Sequence, residues 1–236
     1  EGNHEATARL LDAIGGTVFA LGDNAYMSGT AEEYRDCYDR TWGRHRNRTR
    51  PVPGNHEYET LRAAPYFDYF GSNAGPRGLG YYSFELGGWH IVALNSNVPV
   101  SAGSAQGLWL RTDLAANRSR CTLAYWHHPR FSSGQHGNQD QMNDFWQILY
   151  EAGAEVVLSA HDHLYDRFAP QDPDGLPDVP AGIRQFVVGT GGARPYPFAN
   201  ARARFVASPI MRPRSTAART VSSSASFVTR MVTLSI

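Results

Sequence analysis

The clearest regularity along the chain is a series of short apolar runs that each stop at Gly, Asn, His or Asp. The run in TVFALGDNAY ends at Gly22-Asp23, WHIVALNSN at Asn95, CTLAYWHHP at His127, AEVVLSAHDH at His161 and IRQFVVGTGG at Gly189. Runs of this length without alternation predict strands buried on both faces. Helices are predicted between them over 6–14, 32–42, 105–116 and 139–152, the last with Met142, Phe145, Trp146 and Leu149 at i, i+3, i+4 spacing. Strand and helix in alternation predict an α/β sandwich with a mostly parallel central sheet, in which ligands bind beyond the carboxyl ends of the strands. The Asp and His breaks fall at those ends. The pattern holds over 1–198, read as one domain; the segment 199–236 is basic and rich in Ser, Ala and Arg, with a weak strand in FVTRMVTLSI.

Composition narrows the function by exclusion. With Lys+Arg 22 against Asp+Glu 22 the formal net charge is zero, so no global field draws the 236-residue chain to nucleic acid or to an anionic membrane. All the cationic side chains that make up this count are Arg, and those after Asp178 cluster in the tail without aromatic interleaving, which disfavours a nucleic-acid module. No apolar run approaches the ~20 residues of a membrane span. Cys37 and Cys121 are too few for a thiolate metal site; one disulfide and two buried free thiols are both open. A metal here needs His, Asp, Asn and Tyr ligands.

The breaks supply those ligands. GDNAY ends a strand with Asp23 and, three residues on, Tyr26; Pro53 and Gly54 make a sharp exit that presents Asn55 and His56; HHP puts His127 at a strand end; and HDH offers His161 and His163, two residues apart and able to face one cavity. Each motif alone is more often a turn or a surface cluster. Together they place one carboxylate, one phenol, one amide oxygen and three imidazoles at converging strand ends. Hard oxygen with imidazole suits Fe, Mn and Zn, and Asp23 has two oxygens with which to bridge two ions. Two ions about 3.5–4 Å apart suit in-line displacement at phosphorus. The string GNHE also occurs at Gly2 to Glu5, but there it follows no strand, and it is read as coincidence.

In the order GD-x-x-Y, GNHE, H-x-P and H-x-H, with their surroundings CYDRTWGRHRNRTRPVPGNHEY, YWHHPRFSSGQHG and GIRQFVVGTGG, the chain resembles the calcineurin-like metallophosphoesterases, and the Tyr of GDNAY resembles the purple acid phosphatase branch in its bacterial form. The resemblance implies a dinuclear hydrolase of phosphate monoesters, with Fe(III) and a second divalent ion, Fe, Zn or Mn. It implies Asp23 as bridging ligand, Tyr26 and His163 on the ferric ion, His161 on the second, and Asn55 and His127 as further ligands, with His128 as a variable residue. His56 would touch substrate phosphate, and His136 is a second donor or a proton source for the leaving group.

The resemblance further implies a small phosphorylated substrate and a secreted or periplasmic location. The family's first motif, an Asp at the end of an earlier strand, has no counterpart before Leu21. The fold is therefore expected to be truncated at the N-terminus, with a weakened ferric site and an open sheet edge. Ala160 stands where the family has Gly. The alternatives are a phosphodiesterase or nucleotide hydrolase with the same site, and a non-catalytic relative.

Overall fold

The computed structural model describes residues 3–117, 119, 121–199 and 232–234. Helix α1 (His4–Ala13) leads through Gly15-Gly16 into strand β1 (Val18–Leu21). The predicted helix over 32–42 is broken: α2 (Ala31–Glu33) starts on a capping box in which Thr30 Oγ1 accepts from Glu33 N–H and the Glu33 carboxylate accepts from Thr30 N–H, then widens into a π-helical turn over Tyr34–Tyr38. Then come β2 (Thr49–Val52), α3 (Ala64–Phe70), β3 (Tyr82–Leu86) and β4 (Trp89–Ala93). After them lie α4 (Ala105–Ala116), β5 (Cys121–Tyr125), α5 (Asn143–Glu151), β6 (Val156–Ser159), β7 (Tyr165–Arg167), β8 (Arg184–Val188) and β9 (Val232–Leu234).

All five apolar runs form strands, but in two sheets. One sheet has the order β2-β1-β9, the other β3-β4-β5-β6-β8-β7, with the β4, β5, β6 and β8 pairings parallel. Alternation along the strands sorts the core into layers. Phe19 and Leu21 of β1 pack between the sheets against Ile91, Ala93, Leu123, Tyr125 and Leu158. Val92, Leu94, Ala124 and Trp126 face outward onto Leu110 of α4 and Phe145, Trp146 and Leu149 of α5. On the other outer face Val18 meets Ala8 and Leu11 of α1 and the aromatic cluster of Tyr34, Tyr38, Trp42, Tyr66 and Phe70. The molecule is a helix–sheet–sheet–helix sandwich. Truncating Trp146, fully buried, is expected to cost about 3–5 kcal/mol.

Three strands, β2, β3 and β7, escaped the apolar-run pattern, the first two for identifiable reasons. Strand β2 carries Pro51, tolerated because it is the edge of its sheet. Strand β3 is only half-buried and is joined to β4 by Gly87-Gly88, both at positive φ (59° and 83°), the backbone of a tight two-residue hairpin.

The expectation of an open edge beside β1 is corrected. β1 lies between β2 and β9, and β9 pairs parallel with it from Val18↔Val232 to Ala20↔Leu234, which satisfies its backbone on that side. The remainder of the tail beyond Ala199 lies outside the described residues. Cys37 is exposed and Cys121 half-buried, and the two do not form a disulfide. Among the described residues no helix is long and apolar enough to cross a membrane.

Candidate metal centre

The exits of β1, β2, β5 and β6 meet on one rim, and close backbone approach there demands glycine. A Cβ on Gly54 would lie 2.0 Å from Asp23 Oδ1, and one on Gly22, whose φ is 90°, would lie 2.5 Å from His127 Nδ1. Asp23 itself takes a positive φ of 52°. What holds it there is Glu57, completely buried. One Glu57 oxygen accepts from the N–H of Asp23 (2.9 Å) and of Gly54 (2.7 Å); the other accepts from the N–H of Asn24 (2.7 Å) and Ala25 (3.2 Å) and from the Tyr34 hydroxyl (3.2 Å). The last residue of GNHE thus ties the two ligand-bearing loops together. Its role was invisible in the sequence, although its place beside Asn55 and His56 was a signal.

Around Asp23 the predicted donors converge. Asp23 Oδ2 is 3.2 Å from the Tyr26 hydroxyl and 3.2 Å from His127 Nε2. His127 Nε2 is also 3.1 Å from Asn55 Oδ1 and 3.1 Å from His161 Nδ1, and the Tyr26 hydroxyl is 3.3 Å from His163 Nε2. Because a carbonyl only accepts, the 2.8 Å contact of His127 Nδ1 with Leu21 O requires the proton on Nδ1. Nε2 of the neutral ring is then a lone pair facing three other heteroatoms, and even the imidazolium has only one proton to share among them.

A cation at the centre serves them all. Donor atoms about 2.1 Å from one ion stand about 3.0–3.4 Å from one another, the spacing found here. Tyr26 and His163 on one side of Asp23, and Asn55, His127 and His161 on the other, are thus spaced as residues that could hold metal.

Electrostatics within the chain agree. Burial works to raise the Asp23 pKa, but His127 and His56 more than offset it and hold the carboxyl well below the usual range. Burial, then the neighbouring His127 and His128, push His161 down to about 2, and burial and His127 push His128 down to about 3. Burial also lowers His163. His161 and His128 are therefore neutral and offer lone pairs at ordinary pH, and burial favours the neutral form of His163. Burial first, then Asp23 and Glu57, raise the Tyr26 phenol far above its usual value, so only a strong cation beside it would favour tyrosinate.

His56 and His136 flank this cluster. The His56 backbone N–H reaches Asp23 Oδ1 at 3.2 Å, its Nδ1 bonds Met27 O, and its Nε2 lies 3.9 Å from Asp23 Oδ2. The His136 ring lies 4.1 Å, centroid to centroid, from His161. Asp162, the middle residue of HDH, points away from the cluster and is fully buried. It accepts from the Ser132 hydroxyl (2.5 Å) and from His136 N–H (3.0 Å), and so anchors the loop that carries His136. Tyr196 adds a wall that the sequence gave no reason to expect, its ring 4.7 Å from His163.

A cavity of about 640 Å³ opens beside Tyr26, His56 and His163, and its walls include His4, Tyr38 and Arg194. The N-terminal GNHE, read as coincidence, therefore places its His on the wall of a cavity shared with His56 and His163. It arrives there because α1 docks on the loop after β8, where Asn3 N–H donates to Gly192 O at 2.7 Å.

Comparison with known proteins places the chain in a family. The pattern of the calcineurin-like phosphoesterase family matches residues 1–165. Purple acid phosphatase 15 of Arabidopsis thaliana is 31% identical over 182 residues, 69% of this chain and 34% of that protein, and purple acid phosphatase 21 is 29% identical over 82% of this chain and 48% of its own length. The chain thus spans between a third and half of these relatives. Among solved structures, purple acid phosphatase PPD1 from yellow lupin (Lupinus luteus) seeds superposes with a TM-score of 0.71 at 17% identity, covering 84% of this chain and 40% of that one. GAP50, the anchor in the inner membrane complex of Plasmodium, superposes at 0.56 with 11% identity, over 80% of this chain and 67% of its own. At these identities the superpositions speak for the fold.

Proposed function

Since the chain belongs to the calcineurin-like phosphoesterase family, we propose that it is a dinuclear metal hydrolase of phosphate monoesters of the acid phosphatase type. One observation carries the reading: His127 Nε2, its ring proton committed to Leu21 O, faces Asp23, Asn55 and His161 at 3.1–3.2 Å. Asp23 with Tyr26 and His163 would hold Fe(III), and Asp23 with Asn55, His127 and His161 a divalent Fe, Zn or Mn. When bound, two such ions polarise phosphoryl oxygens and lower the pKa of water.

The chain's own groups do the rest. Glu57 holds Asp23 and the Asn55 loop so that the donors are pre-positioned. His56 has Nδ1 committed to Met27 O, which fixes the ring so that Nε2 would meet a phosphoryl oxygen. His136, on the loop anchored by Asp162, would protonate the departing alkoxide.

Turnover of 4-nitrophenyl phosphate and of bis(4-nitrophenyl) phosphate, measured side by side on metal-loaded protein, tests the substrate class. A kcat/KM for the monoester at least about tenfold higher, a difference of ~1.4 kcal/mol in barrier, is expected. Preference for the diester would transfer the site to phosphodiesters or nucleotides.

A further inference from the structure

We propose that His128, alongside His127, is a further metal ligand on the Asn55 side of the centre, with Ser96 as the group that orients it; the inference rests on the dinuclear reading above. One donor nitrogen from each of His127, His128 and His161 lies within 4.8 Å of the other two. Two donors on opposite sides of one ion stand about 4.2 Å apart, so the three nitrogens fit around a single ion after a shift of a few tenths of an ångström. The His128 ring is 4.5 Å from that of His161 and 4.9 Å from that of His127, centroid to centroid.

The second line of argument is the outer hydrogen bond. A metal-binding imidazole characteristically donates its remote N–H to a fixed oxygen, which sets the tautomer and aims the other nitrogen. His127 does so with Leu21 O, and the His163 ring bonds the Arg194 backbone. His128 has the same arrangement: Nδ1 is 2.7 Å from Ser96 Oγ, which also accepts the His128 backbone N–H at 3.2 Å, and Trp126 Nε1 pins the His128 carbonyl at 2.7 Å. With Nδ1–H donated to Ser96, Nε2 carries the lone pair. Ser96 is itself buried, in the exit of β4.

The consequence is an unequal pair of sites. Asp23, Asn55, His127, His128 and His161 offer five donors on one side, against Asp23, Tyr26 and His163 on the other among the described residues. The Asn55 side should load first and hold its ion more tightly.

Titration of the metal-free full chain with cobalt(II) chloride, read by calorimetry and by the d–d absorption band, tests this. The unaltered chain should bind a first equivalent tightly. His128→Ala should weaken that equivalent on the order of 10- to 100-fold and change the band shape, with added imidazole restoring it; Ser96→Ala, which keeps the ring, should weaken it by up to about tenfold. Melting of the metal-free variants reports whether they fold, and Ser96→Ala serves if His128→Ala does not. His127→Ala is the reference for loss of a ligand. If His128→Ala and Ser96→Ala bind cobalt like the unaltered chain while His127→Ala does not, His128 is a bystander and the inference is overturned. Failure of the unaltered chain itself to bind cobalt would overturn the dinuclear reading together with it.

Discussion

Two histidine clusters in this molecule look alike in composition and differ in their proton count. At the start of β4, His90 has Nδ1 2.8 Å from Glu85 and Nε2 2.7 Å from Asp113, each ring nitrogen facing its own carboxylate. Ser119 and Ser83 donate to the remaining carboxylate oxygens, and Asn117 Nδ2 donates to the Glu85 oxygen that also faces His90 Nδ1. As an imidazolium, His90 has a proton for each of the two carboxylates, with Asn117 Nδ2 also 2.8 Å from Nδ1. At the opposite end of the strands, His127 has one committed proton and then a single nitrogen facing three heteroatoms. The first cluster is complete as protein; the second becomes complete with a cation. A cluster of His and Asp points to metal when its donors and acceptors fail to balance, which composition alone does not reveal.

The strongest attempt to break the comparison is Asp23→Asn, which removes the charge shared by both sides of the centre. Phosphatase turnover should fall by about 10³-fold or more, ~4 kcal/mol in barrier; activity within tenfold of the unaltered protein would place the chemistry elsewhere. Next comes Glu57→Ala, which strips acceptors from four backbone N–H groups and a tyrosine hydroxyl in a fully buried site. Denaturant unfolding should show a loss of about 3–5 kcal/mol, the cost of breaking a buried charged network, whereas a shift under 1 kcal/mol would remove Glu57 as the organiser of the loops. His56→Ala should lower kcat by about 10²-fold, as for loss of one preorganised donor, while leaving metal content unchanged. Loss of metal in that variant would make His56 a ligand instead.

The smallest effect belongs to the balanced cluster. Burial disfavours charge on His90, but Asp113 and Glu85 more than offset it, and its pKa is raised in the folded protein. Stability from this group is therefore full below the unfolded His value, about 6.5, and is lost as pH rises through the higher folded value. His90→Gln should cost about 1 kcal/mol at pH 5.5, modest because Glu85 is half exposed, and the difference should shrink by pH 9. A difference that grows with pH would mean His90 is held neutral.

Much of the rim was legible in the sequence because apolar runs and their polar breaks are local. Asp23, Asn55, His127, His161 and His163 sit at strand exits, where the chain leaves the core and must expose something polar. What was not legible depends on contacts between distant segments. The split into two sheets follows from which face of β1 meets β4 and β5, and nothing in VFAL distinguishes its faces. Glu57 and Asp162 stood inside recognised motifs, yet their work is to hold backbone N–H groups and a neighbouring loop. Ser96 and His128 are 32 residues apart and acquire meaning only as a pair. A weak strand was legible in FVTRMVTLSI, but its pairing with β1 joins distant segments and has no local signature.

The most direct test is metal content per chain with the visible absorption spectrum, after equilibration with iron and with zinc or manganese and removal of loosely bound ions. The donor geometry predicts two ions per chain and, with iron on the Tyr26 side, a tyrosinate charge-transfer band. A chain that retains no ion and stays colourless would show that the unbalanced cluster closes on protons alone, and would contradict the account.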